Sequence, residues 1–127
     1  MCIRDRDNKT NYINYTHASI NADLLNYYKG LIELRKKYEA FRRADYNDVK
    51  FFNFKSNPFA MGYSVKFKEE DFIVLFNADP KTFLEVDLPD GEWELLVDEN
   101  TAGVKSIRTL QNKVLLKSST GMALKKK

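Results

Sequence analysis

The hydrophobic period changes once along this chain, after Tyr38, and that change limits the fold more than any other feature. Before it, Leu24, Tyr27, Tyr28, Leu31, Ile32, Leu34, Arg35 and Tyr38 follow i, i+3, i+4, i+7 spacing. That spacing predicts an amphipathic helix over residues 21–38 with a wide apolar stripe. Ser19 or Asn21 is expected to cap it, and Asp23 falls in the first turn, where its charge meets the positive helix end. Lys36 and Lys37 fall in the last turn, where the dipole favours cations. Gly30 sits mid-helix, which costs about 1 kcal/mol against Ala and is best tolerated where a neighbouring backbone packs close. Ahead of the helix, residues 7–19 are rich in Asn, Asp and Ser and read as a loop.

After Tyr38 the pattern is that of short strands. Residues 49–54 and 61–67 are rich in Phe, Tyr and Val, separated by the turn Ser56-Asn57-Pro58. Residues 72–76 form a continuous apolar run, as in a strand buried on both faces. Residues 83–88 set Phe83, Leu84, Val86 and Leu88 against Glu85 and Asp87, and Pro89-Asp90-Gly91 breaks the chain before a strand at 93–97. Residues 107–110 and 113–116 suggest a hairpin about Gln111-Asn112, and 120–124 closes the chain. Seven or eight short strands roughly ten residues apart are the pattern of an antiparallel sandwich. The expected fold is therefore mainly β: a C-terminal antiparallel β-sandwich preceded by one amphipathic helix. A lone helix cannot bury so wide a stripe unaided. The helix thus reads as the last element of a preceding domain, and the chain as the tail of a larger protein.

The 127 residues, 43% of them hydrophobic, suffice for one packed domain. Net charge is only +3, with Lys125, Lys126 and Lys127 forming a solvated end, and no basic stripe interleaved with aromatics suggests nucleic acid. No run of about 18 apolar residues is present, so no helix here is expected to span a membrane. Cys2 is the only cysteine, so no internal disulfide staples the fold. That usage suits a reducing, cytoplasmic setting, and also a secreted protein without disulfides. Residues 1–6, Met-Cys-Ile-Arg-Asp-Arg, have no periodicity and resemble translated adapter sequence. They are expected to be a leader outside the fold, followed by loop and helix over 7–44 and an all-β domain over 45–127.

Within the helix, Asn26-Tyr27-Tyr28-Lys29-Gly30-Leu31-Ile32-Glu33-Leu34-Arg35-Lys36-Lys37 resembles the final helix of the (β/α)8 barrel in the α-amylase superfamily, in the form closest to type I pullulanases. Ala40-Phe41-Arg42 is similar to the family's continuation, with Tyr38-Glu39 where His-Pro is usual. Ile13-Asn14-Tyr15 resembles the segment preceding that helix, with Tyr in place of Trp. Ile73-Val74-Leu75-Phe76-Asn77-Ala78-Asp79 resembles the family's strand ending in Asn-Ala-Asn. Leu88-Pro89-Asp90-Gly91-Glu92-Trp93, continued by Glu94-Leu95-Leu96-Val97-Asp98, resembles Leu-Pro-x-Gly-x-Trp-x-Val-x-Val-Asp, and Ala102-Gly103 fits the following loop. Residues 119–124 stand where these enzymes finish, although the usual Pro-rich run is missing. The similarity covers the chain from about residue 11 onward.

The resemblance implies a debranching glycoside hydrolase that cleaves α-1,6 linkages of an α-glucan and needs no cofactor. Such hydrolysis needs two carboxylates about 5–5.5 Å apart on loops at the C-terminal ends of barrel strands. By the resemblance these acids lie upstream of residue 1, in a missing catalytic barrel that is this domain's partner. None of the acids here fits their motifs. Asp5 and Asp7 fall at the leader and Asp45 and Asp48 in a linker, Glu69, Glu70 and Asp71 form a turn cluster, and Glu92, Glu94, Asp98 and Glu99 edge a strand. All read as solvated charges. His17 lacks the companions of a metal site and reads as a polar loop residue, while Trp93 and the Tyr27-Tyr28 pair read as core aromatics. The resemblance places residues 11–15 between the last barrel strand and the last helix, so Asn11, Tyr12, Asn14 and Tyr15 are the substrate-loop candidates. Two other readings compete: a free-standing β-sandwich that binds glucan without cutting it, and another superfamily member such as an α-glucosidase or amylase. An exposed stripe at Leu24 to Leu31 separates the first from a fragment, because it marks a missing partner. The Asn-Ala-Asp and Gly-Glu-Trp segments argue against the second.

Overall fold

The apolar run at residues 72–76 lies in the strand around which the chain is layered. The structure, a computed structural model, describes residues 9, 12–55 and 57–127. The leader reading of residues 1–6, with Cys2, Asp5 and Asp7, lies outside the described residues, as do Asn11 and Ser56. Among the described residues three helices, α1 (Thr16–Ile20), α2 (Ala22–Lys37) and α3 (Ala40–Arg43), precede a 3-10 turn at Tyr46–Asp48. Eight strands follow: β1 (Val49–Phe51), β2 (Ala60–Phe67), β3 (Glu70–Asn77), β4 (Leu84–Asp87), β5 (Trp93–Val97), β6 (Arg108–Leu110), β7 (Lys113–Leu116) and β8 (Thr120–Lys126).

Two antiparallel sheets result, one of six strands in the order β1-β2-β3-β8-β5-β6 and one of the pair β4-β7. Strand β3 alternates between two cores. Ile73 and Leu75 point into a core between the sheets with Val86, Trp93, Leu116 and Leu124. Phe72 and Val74 point the other way, into a core with Leu34, Tyr38, Ala40, Val65 and Ala123 beneath the helices. This explains the unbroken apolar run: a strand covered on both faces has no polar position to alternate with. In β4, by contrast, Leu84 and Val86 are buried and Glu85 and Asp87 exposed, because only one face meets the core. At the end of β5 the register with β8 shifts between Leu95 and Val97. Leu95 therefore enters the core between the sheets while both Leu96 and Val97 enter the core under the helices.

Each of the eight expected strands is present. The expected hairpin at Gln111-Asn112 is not. β6 pairs with β5 and β7 with β4, so the chain changes sheets at that turn. Asn112 takes a left-handed conformation at φ 64°, and its carbonyl accepts the Leu88 N–H at 2.7 Å, which ties the turn to the end of β4. Asn-rich turns signal a reversal, and nothing local tells whether the two strands then meet.

The expected loop before the helix also needs correction, because residues 16–20 form α1. Asn14 Oδ1 accepts from the Thr16 N–H at 3.1 Å and from the Thr16 hydroxyl at 2.6 Å, which starts that turn. Neither expected cap of α2 is made. Asn21 holds the N-cap position, yet its amide Nδ2 donates backward to the His17 carbonyl at 3.1 Å, and the Ser19 hydroxyl donates to the Thr16 carbonyl. Asp23 and the basic residues Arg35, Lys36 and Lys37 do occupy the first and last turns as the dipole favours.

Candidate functional site

Several of the acids that resembled nothing catalytic cap backbone groups or pair with lysines, roles more specific than solvated charge. Glu70 accepts the N–H groups of Glu39 at 3.3 Å and Ala40 at 2.7 Å, and so holds the start of α3 against β3. Asp45 and Asp48 form a reciprocal capping box around the 3-10 turn. Asp98 Oδ1 accepts the N–H groups of Asn100 and Thr101, both at 2.8 Å, and shapes the loop after β5. Glu92 pairs with Lys127 at 2.8 Å, Glu99 with Lys117, and Asp71 with Lys66 at 3.3 Å. Among the described residues no group of three or more His, Cys, Asp or Glu side chains could hold a metal ion. His17 is exposed on α1, not in a loop.

The Asn-Ala-Asp segment is likewise architectural. Asn77 is buried; its amide donates to the carbonyls of Thr82 at 2.9 Å and Lys117 at 3.0 Å, and its Oδ1 accepts the Asp79 N–H. Asp79 in turn accepts the Lys81 and Thr82 N–H groups and, at 2.5 Å, the Thr82 hydroxyl. The two side chains thus fold the crossing from the large sheet to the small one. The Thr82 hydroxyl, then the backbone N–H groups, hold the Asp79 carboxyl below its ordinary value. A depressed value means stabilisation present in full above the unfolded-state value of about 3.9 and lost as pH falls through the lower folded one. The melting-temperature gap between wild type and Asp79→Asn is therefore expected to be widest near neutrality and to shrink below about pH 4. A gap equally wide at pH 3 and pH 7 would contradict this role for the charge.

Helix α2 presents two apolar faces. The inner face packs Tyr27, Leu31, Leu34 and Tyr38 on the sheet. Burial first, with Asp98 and Glu99 nearby, raises the Tyr27 phenol, which stays protonated and donates to the Asp98 carbonyl at 2.8 Å. Gly30 meets the same loop: a Cβ there would stand 1.8 Å from the Ala102 carbonyl oxygen. The close backbone approach expected of a mid-helix glycine is thus observed. The outer face carries Ile20, Leu24, Tyr28 and Ile32, four residues apart along α1 and α2, between 54% and 75% exposed. The stripe expected at Leu24 to Leu31 is therefore divided, with Leu31 packed against the sheet core and Leu24 bare.

Of the substrate-loop candidates, Tyr12, Asn14 and Tyr15 are exposed. Asn14 and Tyr15 join Ile13, Leu24 and Tyr28 around an open groove of about 360 Å³ that is mostly apolar. Asn14 Oδ1 is already engaged by Thr16. The remaining candidate, Asn11, lies outside the described residues. What the sequence did not single out is Ile20, the first residue of the outer stripe, hidden from the periodicity because a break at Asn21 separates α1 from α2.

No protein-family model matches the chain. Solved structures do. The pullulanase from Bacillus acidopullulyticus superposes with a TM-score of 0.78 at 22% identity, over 91% of this chain and 15% of that one. The fold is that of part of a pullulanase. The pullulanase from Anoxybacillus sp., complexed with maltotetraose, gives a TM-score of 0.76 at 18% identity, over 92% of this chain and 17% of that one. A trehalulose synthase mutant matches at TM-score 0.67 and 18% identity, over 92% of this chain and 20% of that one. The chain spans at most a fifth of the length of the three proteins named here. The pullulanases superpose better than the trehalulose synthase, in line with the resemblance carried by the Asn-Ala-Asp and Gly-Glu-Trp segments. Trp93 itself is 1% exposed and its indole N–H donates to the Pro89 carbonyl at 2.9 Å, so it is a core residue and not a sugar platform. No helix among the described residues is long and apolar enough to cross a membrane.

Proposed function

We propose that this chain is the C-terminal portion of an α-glucan debranching hydrolase of pullulanase type, and that this portion is structural. The parent cleaves α-1,6-glucosidic bonds with carboxylates carried on an upstream barrel. Residues 7–44 are the last loop and helix of that barrel, and residues 45–127 the all-β domain that holds the helix in place. The observation that supports this best is the outer stripe Ile20, Leu24, Tyr28 and Ile32. A helix anchored on one face by a sheet and apolar on the other is a helix between two layers, with one layer outside this chain. The pullulanase-like fold, matched over less than a fifth of those chains, supports a barrel as that layer, and maltotetraose in one of those structures supports an α-glucan as substrate. On this reading Tyr12 and Tyr15 contact substrate from the catalytic face, together with Asn11 and Asn14.

Sequencing the DNA upstream of codon 7 from the original source tests the proposal. An in-frame continuation encoding barrel strands with an Asp and a Glu at their C-terminal ends is the expected result. A promoter and a stop codon there would overturn it. The 127-residue chain by itself is expected to release no reducing sugar from pullulan, and turnover well above a blank would show that it is catalytic. A second reading, a free-standing glucan-binding module, draws on the inner face of α2, which does fold back on the sheet. It predicts saturable binding of maltotetraose by the isolated chain in calorimetry, whereas the fragment reading predicts none.

A further inference from the structure

The helices cover only part of the sheet face on which they lie. Six strands about 4.8 Å apart span roughly 24 Å, and a helix with its side chains is about 10 Å across. Helix α2 and its continuation α3 bury Val65, Phe72, Val74, Val97 and Ala123. On the same face, by strand alternation, Phe51 stands opposite Tyr63 and Met61 opposite Phe76 in the ladders of β1, β2 and β3. Phe51, Met61 and Phe76 are between 40% and 65% exposed, and the Phe51 and Tyr63 rings lie 5.8 Å apart. Between this strip and α2 runs a groove of about 460 Å³, floored by Tyr63, Val74, Phe76 and Ala123 and walled by Leu31 and Phe41. Arg35 stands at its rim, held by a 2.8 Å bond to the Phe41 carbonyl.

We infer that this strip seats a second amphipathic helix, lying beside α2 in the same layer and supplied by the upstream part of the parent protein. The inference rests on the pullulanase-type reading and adds a second contact, distinct from the outer stripe of α2. A helix suits the seat because its backbone hydrogen bonds are internal, so it can enter an apolar groove without leaving polar groups unpaired. An added strand would instead seek the free edge of β1, where open backbone groups are offered, and would leave the face bare. The sheet is wide enough for two helices side by side, and the large share of the matched pullulanases that lies outside this chain is ample to supply one.

Methionine oxidation reads the seat directly. Met61 is exposed and Met122 is buried in the core between the sheets, so one reports the seat and the other is an internal control. Peroxide is expected to oxidise Met61 readily in the 127-residue chain and at least about tenfold more slowly in the full-length protein recovered by upstream sequencing, with Met122 slow in both. A photoreactive phenylalanine placed at Met61 in the full-length protein is expected to form an adduct with an upstream helix of the same molecule. If Met61 stays reactive while hydroxyl-radical labelling of Leu24 and Ile32 is lost, the seat is wrong and the pullulanase-type reading stands. If Met61, Leu24 and Ile32 all stay reactive, or no upstream coding sequence exists, both fail together. An adduct with a strand, a loop or a second copy of the chain would also overturn the helix seat.

Discussion

Trp93→Ala is expected to destabilise the domain by about 3–5 kcal/mol, the range for truncating a buried aromatic. The ring is essentially inaccessible and lies in the core between the two sheets with Leu95, Val114 and Leu124. The smaller sheet has only the strands β4 and β7, so few other side chains hold it to the larger one. Truncation also leaves the Pro89 carbonyl without its 2.9 Å donor at the turn into β5. Against a total stability of about 5–15 kcal/mol, the loss leaves the chain close to unfolding at ambient temperature. Trp93→Phe keeps most of the ring volume and removes the donor, so it is expected to cost less, about 1–3 kcal/mol. Trp93 is the only tryptophan, so urea titrations must be followed by circular dichroism. A change under about 1 kcal/mol for Trp93→Ala would mean that the ring is not in the core, and would revive its alternative role as a sugar platform.

The strands were legible because each strand's environment leaves a different local pattern. β4, with one face covered, alternates; β3, with both faces covered, is an unbroken apolar run. Pairing was less legible. Residues 107–116 look like a hairpin because a turn between two short strands is all that the sequence displays locally. Their separation into different sheets depends on β5 and β4, more than ten residues away. The acids illustrate the same limit. The polar character of Glu70 is evident in sequence, but its role at the start of α3 arises from a backbone thirty residues upstream.

The outer face of α2 was legible as an excess. The stripe was too wide for one partner, and the structure divides it between a sheet that buries Tyr27, Leu31 and Leu34 and a bare row at Leu24, Tyr28 and Ile32. The substrate-loop candidates were named only through family resemblance. Tyr12, Asn14 and Tyr15 are exposed and Asn14 Oδ1 accepts from Thr16 at the start of α1, so no local physical pattern distinguishes a glucan contact from an ordinary polar turn.

Gly30→Ala sets two effects against each other. In an isolated helix the change favours the helical state by about 1 kcal/mol. Here the new methyl would stand 1.8 Å from the Ala102 carbonyl oxygen and 2.5 Å from its carbonyl carbon. Both are backbone atoms in a loop pinned by the Asp98 side chain and by Tyr27, whose hydroxyl donates to the Asp98 carbonyl. Neither can rotate away as a side-chain tip could, so α2 must lift from the sheet or the loop must break its bonds. Overpacking of this kind costs about 1–3 kcal/mol, and contact with fixed backbone places it at the upper end. The net expectation is a loss of about 2 kcal/mol, or roughly 6–12 °C in melting temperature for a domain of this size. The control is Gly30→Ala in a peptide spanning residues 16–38, where no loop is present and helicity measured by circular dichroism should rise. A gain in both peptide and intact chain would mean that α2 does not press on the loop after β5. A gain in the peptide with a loss in the chain would mean that the all-β domain sets the position of the helix.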